Sequence, residues 1–115
     1  MSIVIVDKLK KEDIKKARQD YSDYIKITID IAQRIVAIGG EYHADAEEVL
    51  IENFQSKSGD IWGGGYSLIL HKYETNALVN IKAGINDSTE ILDPKVREIF
   101  LKIAEEKLGE IKEFI

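Results

Sequence analysis

The chain has 115 residues and a formal net charge of −5, with 44% hydrophobic and 32% charged residues. This length corresponds to one domain with its own core (1–115), and the composition is that of a folded chain rather than a disordered one. The absence of cysteine excludes disulfides, thiolate metal sites and cysteine nucleophiles.

Charge and hydropathy also bear on partners and location. The negative net charge argues against nucleic-acid binding, which needs a clustered excess of Lys and Arg. We interpret the one basic run, Lys8 to Arg18, as a solvated helix face. No apolar run approaches the roughly 18 residues of a membrane span, and the N-terminus does not resemble a signal peptide. We therefore expect a cytoplasmic protein without membrane contact, and its abundant Lys and Glu are thermophile-like.

The first third of the chain predicts a strand, a helix and a second strand. Residues 2–6 form an apolar run rich in β-branched residues, which is typical of a buried strand. Between residues 10 and 21 the apolar positions recur at spacings of three and four, which predicts an amphipathic helix. In residues 25–31 isoleucines alternate with polar side chains, which predicts a strand with one face in water.

The next segment has two interpretations. "AQR" (32–34) can turn the chain back, so that "IVAI" (35–38) forms a third strand before Gly39 and Gly40. A helix across residues 30–38 is the alternative, because periodicity does not decide so short a piece.

The segment "EYHADAEEVLIENF", which follows the two glycines, is also ambiguous. Alternation would place Glu41, His43, Asp45 and Glu47 on one face of a strand. The alternative is a helical turn at residues 44–48 followed by a strand at residues 49–52.

Further along, "QSKSGD" (55–60) and "AGINDST" (83–89) have the composition of loops. Between them lie two strand-like runs that end in "ALVNIK" (77–82). Alternation favours a turn between the runs near residues 70–72 over one at residues 74–76.

The last element is the best defined. Asp93 and Pro94 are suited to the N-cap and the first position of a helix. An apolar stripe continues from there through Val96, Ile99, Phe100, Ile103, Ala104, Leu108, Ile111 and Ile115. Gly109 lies within the stripe at a cost of about 1 kcal/mol relative to alanine, so we expect fraying there. Together the elements predict an α+β fold: a mainly antiparallel sheet of about five to six strands, a helix after strand 1 and a long C-terminal helix.

Five segments resemble one known family. They are "YIK" (24–26), "GGEYHADAEEVLIE" (39–52), "DIWGG" (60–64), "VNIK" (79–82) and "STEILDP" (88–94). In this order they resemble a small prokaryotic family of about this length that is known only as a domain of unknown function. The resemblance implies no activity, cofactor or substrate, but it suggests that the sheet and its glycines form one unit. The family has Arg-Pro after "NI", whereas this chain has Lys82 and Ala83, and lysine lacks the planar fork with which arginine clamps anions.

Glu41, His43 and Asp45 form the candidate metal site. On a strand such residues share a face at a spacing of about 6.5–7 Å, and they are suitable ligands for Zn²⁺, Mn²⁺ or Fe²⁺. Convergence on one ion would require a bulge or a partner from another strand. The alternatives are a solvated face and metal-free acid–base catalysis by His43, with Glu41 and Asp60 as further catalytic candidates. The other histidine, His71, is interpreted as a surface residue.

The segment "GDIWGGGY" is the second candidate site. Glycines permit close backbone approach to a ligand, and the aromatic rings offer flat faces. The alternative is that Trp62 anchors the core beneath a flexible loop. The spacing matches neither a P-loop nor a dinucleotide fingerprint, so nucleotide triphosphates are not expected. The candidate ligand-binding residues are Trp62, Gly63, Gly64, Tyr66, Asn80 and Lys82.

We expect a binding or assembly protein rather than a recognisable enzyme. The long apolar stripe and the isoleucine-rich strands suggest more apolar surface than one small core buries, which favours a homodimer. The alternative is a metal-dependent hydrolase or other small enzyme built on Glu41, His43 and Asp45. Small-molecule binding near Trp62 and Tyr66 is compatible with either hypothesis.

Overall fold

The computed structural model describes residues 2–114, which form a five-stranded sheet with helices on both faces. The strands are β1 (Val4–Val6), β2 (Tyr24–Asp30), β3 (Ile35–Ile38), β4 (Ile61–Ser67) and β5 (Lys72–Glu74). The α-helices are α1 (Lys11–Ala17), α2 (His43–Phe54) and α3 (Pro94–Leu108), and short 3-10 helices span Ser58–Asp60, Leu78–Asn80 and Ile111–Phe114. The α+β prediction, with its helix after strand 1 and its C-terminal helix, is confirmed. Within residues 2–114, every helix is too short or too polar to cross a lipid bilayer.

The strand order is β1-β3-β2-β4-β5, and all neighbouring pairs are antiparallel. The predicted turn at residues 32–34 is confirmed, and the alternative helix across residues 30–38 is wrong. The Asp30 carboxylate stabilises this turn by accepting hydrogen bonds from the backbone N–H groups of Ala32 and Gln33, both at 3.0 Å. Arg34 completes the turn in the left-handed region, with φ of 60°.

Both faces of β2 are covered, so the predicted wet face is wrong. Its three isoleucines are buried in the main core with residues of α1 and α3. The opposite face lies beneath α2, and there Thr28 and Asp30 are only 0% and 1% exposed. The hydroxyl of Ser56, just beyond α2, donates to the buried Asp30 carboxylate at 2.6 Å and so offsets the loss of its hydration.

The segment after the two glycines is one continuous helix, α2, so the predicted strand at residues 49–52 is wrong, as is a strand through Glu41, His43 and Asp45. Ala46 and Leu50 lie one turn apart and are both fully buried against the sheet. Glu48, which an alternating strand would bury together with Ala46 and Leu50, is exposed, so the burial follows the helical period and not the strand period.

The glycine segment is the central strand β4 instead of a flexible loop, and all seven of its residues are buried. The chain turns at residues 68–71 into β5, close to the favoured position. Residues 77–82 are not a strand, because a 3-10 helix occupies Leu78–Asn80.

The C-terminal helix α3 begins as predicted, since the Asp93 side chain accepts a hydrogen bond from the Lys95 N–H at 2.9 Å. The helix ends at Leu108, directly before Gly109. The predicted stripe is largely buried, although Ile99 is 42% exposed. Ile115, the last member of the stripe, lies outside the described residues.

Candidate functional site

A cleft of about 450 Å³ opens beside the first turns of α2. It lies between α2, the beginning of β2 and residues 76–79. Its lining includes the side chains of Tyr24, Lys26, His43, Glu47, Leu78 and Val79. We refer to this feature as the His43 cleft.

Glycines in β4 let these side chains lie directly on the strand. A Cβ atom added to Gly63 would be 2.7 Å from Val79 Cγ1 and 2.9 Å from His43 Cδ2. A Cβ atom on Gly65 would collide with the phenol ring of Tyr24. Real Cβ atoms do not approach so closely, so the cleft requires bare backbone at both positions.

His43 is attached to this strand by one edge of its ring. Its Nε2 atom lies 2.7 Å from the Gly64 carbonyl oxygen, and because a carbonyl only accepts, Nε2 carries the proton. Cδ2, the neighbouring ring atom, also faces the strand at Gly63. Nδ1 is on the opposite edge of the ring and is therefore turned away from the sheet.

The environment of His43 favours its neutral form. Burial lowers the pKa of the imidazole, the hydrogen bond to Gly64 opposes this, and the charge of Lys26 lowers the pKa further. A neutral ring protonated at Nε2 has a lone pair on Nδ1. His43 can therefore accept a hydrogen bond, or a proton, from a molecule in the cleft.

Two opposite charges share the cleft with His43. The Lys26 ammonium lies 4.7 Å from the ring centroid of Tyr21 and 5.8 Å from that of Tyr24. Glu47 follows His43 by one helical turn, so both side chains are on the same side of α2. The only ion pair within residues 2–114 joins Arg34 and Glu106, so neither Lys26 nor Glu47 is neutralised by a salt bridge there.

Tyr24 supplies a neutral aromatic wall. Burial raises the pKa of its phenol to about 12, with the charge of Glu74 acting in the same direction. The phenol therefore stays protonated at neutral pH, and its ring lies over Gly65.

Trp62 and Lys82 form a separate contact. The Lys82 ammonium lies 5.0 Å from the Trp62 ring centroid and donates a hydrogen bond to the Ser58 carbonyl at 2.8 Å. Burial lowers the pKa of Lys82, while the charges of Glu47 and Asp60 act in the opposite direction. Lys82 borders a second cleft rather than the His43 cleft.

The remaining ligand-binding candidates are internal. Tyr66 is fully buried on the opposite face of β4 and contacts the Tyr73 ring edge-on at 5.0 Å between centroids. Asn80 is also fully buried, and its amide bonds backbone groups, including both polar groups of Gly63. Gly64 lies beneath the Phe100 ring on that same face, although its carbonyl holds His43.

The strand on which the expected metal site depended is absent, and that premise was wrong. Glu41 precedes α2, whereas His43 and Asp45 are in its first turn. Successive residues rotate about 100° around a helix, so these two side chains point in nearly opposite directions. Within residues 2–114 no group of three or more His, Asp or Glu side chains is placed to hold a metal ion. His71 is exposed at the turn before β5.

Sequence reasoning did not find Tyr24, Lys26 and Glu47 as site residues. The spacing of four between His43 and Glu47 was a usable signal, because residues four apart share a face on a strand and on a helix alike. The position of Lys26 depends on the pairing of β2 with β4, in which Lys26 is opposite Gly65.

Comparison with known proteins gives a family without an activity. No curated protein and no solved structure matches the chain. A family model described as "Protein of unknown function (DUF5674)" matches residues 3–107. The chain belongs to this family, as the resemblance of its motifs to a family of unknown function implied.

Proposed function

Because membership in this family assigns no activity, we propose from the geometry that the protein binds a small organic molecule in the His43 cleft. The observation that carries the proposal is the position of the His43 imidazole, which is held on β4 by its Nε2 atom with Nδ1 turned away from the strand. The cytoplasmic location stays a prediction, which cell fractionation tests. The prokaryotic origin stays a prediction as well.

The size and lining of the cleft support this proposal. Its volume of about 450 Å³ lies within the range of small-molecule sites. Such sites are mostly apolar, with a few polar groups that fix the orientation of the ligand. Here the apolar part comes from residues 77–79 and Tyr24, while Lys26, His43 and Glu47 provide the polar groups.

The test is a thermal-shift screen of metabolite classes, followed by calorimetry on the compounds that stabilise the protein. His43→Gln keeps an amide donor for the Gly64 carbonyl but leaves no acceptor at the position of Nδ1, because its one acceptor oxygen is bonded to the same carbon as the donating nitrogen. We expect it to weaken binding by about fivefold, since one hydrogen bond contributes about 1 kcal/mol.

The matched control is His71→Asn, which alters the exposed histidine. Asparagine tolerates the left-handed backbone of that position, where φ is 54°. The control should bind like the unmodified protein. Stabilisation by no compound class, or full affinity in His43→Gln, would contradict the proposal.

We also propose self-association as a second function, for a different reason than the sequence suggested. The apolar stripe of α3 and the isoleucines of β2 are mostly buried within the chain. One group of exposed apolar side chains lies instead around the Leu78–Asn80 helix, where Leu78, Ile81 and Ile85 are 76%, 51% and 68% exposed. Such clusters of exposed apolar side chains are typical of interaction surfaces.

Light scattering over a range of concentrations tests self-association. We expect the mass of a dimer for the unmodified protein and that of a monomer for Ile85→Lys. Ile69→Lys is the matched control, because Ile69 is 70% exposed but lies in the turn before β5. A monomer at every concentration would refute this second proposal.

A further inference from the structure

We infer that the ligand of the His43 cleft is a small zwitterion of the amino-acid type, with an apolar side chain. Its carboxylate would contact Lys26, and its ammonium group would be received by His43 and Glu47. This inference rests on the proposed function and specifies the class of ligand.

The carboxylate end follows from the surroundings of Lys26. The two tyrosine rings at 4.7 and 5.8 Å position the ammonium without neutralising it, since a cation–π contact leaves the net charge in place. No ion pair of residues 2–114 includes Lys26. A half-buried cation at a cleft is therefore available to an anionic group, and a carboxylate forms a charge-assisted hydrogen bond with it.

The ammonium end follows from two acceptors on one side of α2. His43 and Glu47 are four residues apart, both are half-buried, and both line the cleft. The neutral imidazole offers its Nδ1 lone pair, and an ionised Glu47 offers only acceptors. A group that serves both must donate at least two hydrogen bonds and is favoured by positive charge, as a primary ammonium is.

The opposite charges of Lys26 and Glu47, which both line the cleft, select against ligands with a single charge. An anion attracted by Lys26 is repelled by Glu47, and an amine attracted by Glu47 is repelled by Lys26. A zwitterion satisfies both, and the rest of its body meets Leu78, Val79 and Tyr24. These walls match an apolar or aromatic side chain.

Calorimetry with matched compounds tests the class. The zwitterions are L-leucine and L-phenylalanine, the acids without an amine are 4-methylpentanoate and 3-phenylpropionate, and the amines without a carboxylate are 3-methylbutylamine and phenethylamine. We expect each zwitterion to bind at least tenfold more tightly than the matched acid and the matched amine.

Two charge-removing variants assign the ends of the ligand. Lys26→Met should weaken the binding of the zwitterion and of the acid at least tenfold, while the affinity for the amine stays the same or increases. Glu47→Gln should weaken the binding of the zwitterion and of the amine, while the affinity for the acid stays the same or increases. The controls are Glu48→Gln on the exposed side of α2 and Lys95→Met on α3, which should change nothing. Thermal unfolding of each variant verifies that it is folded.

The outcomes separate this inference from the proposed function. Crossed effects of the two variants on acid and amine support the zwitterion. Binding of uncharged or singly charged compounds that depends on His43, with zwitterions no tighter, overturns the inference and leaves the proposed function standing. Failure of every compound class to bind overturns both.

Discussion

The imidazole of His43 has two chemically different edges because of its neighbours. The Gly64 carbonyl holds a proton on Nε2, and burial disfavours the charged ring. Nδ1 is therefore an acceptor on the side away from the strand. A histidine of ordinary pKa is partly protonated near pH 6.5. Its charged form donates from both ring nitrogens and has no lone pair on Nδ1.

We expect NMR to detect neutral His43 as the Nε2-protonated tautomer at pH 7. Because burial lowers its folded pKa below the ordinary value of about 6.5, the unfolded chain binds a proton more readily than the folded one. The contribution of His43 to the free energy of unfolding is thus complete above pH of about 6.5 and is lost as pH falls through the folded pKa.

Chemical denaturation from pH 8 to 4 measures this effect. The dependence of stability on pH should be weaker in His43→Gln than in the unmodified protein. A Nδ1-protonated tautomer, or equal slopes in His43→Gln, would count against the assigned geometry.

Gly63 gives a second prediction for a single residue. Its substitution by alanine would place a methyl group 2.7 to 2.9 Å from Val79, Ala77 and His43. Overpacking of this kind costs about 1–3 kcal/mol, and it should also displace His43 and weaken ligand binding. Gly59→Ala is the control, because an added Cβ there meets nothing within 4 Å. Equal stability of the two variants in urea would refute the close packing.

At the level of elements, β4 is a central strand whose first half has no strand on one side. β2 pairs with all of β4, whereas β5 pairs only with residues 65–67. Asn80 completes the exposed edge, since its Oδ1 accepts from the Gly63 N–H at 2.8 Å and its Nδ2 donates to the Gly63 carbonyl at 2.9 Å. The Asn80 side chain thereby makes the two hydrogen bonds that a neighbouring strand would otherwise make with Gly63. It also positions the Leu78–Asn80 helix over the glycines.

Removing this amide should destabilise the fold. We expect Asn80→Ala to lower the free energy of unfolding by about 3 kcal/mol, because it leaves buried polar groups of Gly63 without partners. Asn76→Ala, at an exposed position nearby, should change the stability by less than about 0.5 kcal/mol. Urea titrations of the two variants measure the difference, and a similar midpoint for both would contradict the role assigned to Asn80.

At the level of the whole molecule, the sheet separates a core from a site. One face contributes to a cluster that extends from Val6 in β1 to Ile111 after α3. The other face is covered by α2 and the Leu78–Asn80 helix, between which the His43 cleft opens. The side chains that line the His43 cleft therefore all lie on the face of the sheet opposite the main core.

The extent of this core predicts cooperative unfolding of the chain as a single domain. Trp62 is the only tryptophan and is 4% exposed, so its fluorescence reports on the core. Far-ultraviolet circular dichroism reports on the helices. We expect the two signals to change together in urea. Separate midpoints would refute the single-domain prediction.

Local signals predicted several elements correctly. The Asp93–Pro94 boundary is confirmed because a cap and a proline act within one turn. The hairpin of β2 and β3 is confirmed, and it was predictable because the alternating run before residues 32–34 and the apolar run after them are both short-range patterns. Residues 41–54 were mistaken in part for strand, since acids and alanines satisfy either period until Ala46 and Leu50 are known to be buried while Glu48 between them is exposed.

The candidate site was predicted only in part. His43 was identified from its residue type, but the partners assumed for it, Glu41 and Asp45, were neighbours in sequence on a strand that does not form. Its actual neighbours come from β2, β4 and the Leu78–Asn80 helix. No local pattern relates such distant residues.

The sequence alone therefore determined the α+β class, the capped C-terminal helix, the hairpin and the family, because each depends on short-range patterns or on order along the chain. Only the tertiary structure decided that the glycines form a central strand, that both faces of β2 are buried and that Lys26, His43 and Glu47 share a cleft. These features depend on strand register and on which faces pack, and both arise from contacts between residues far apart in the chain.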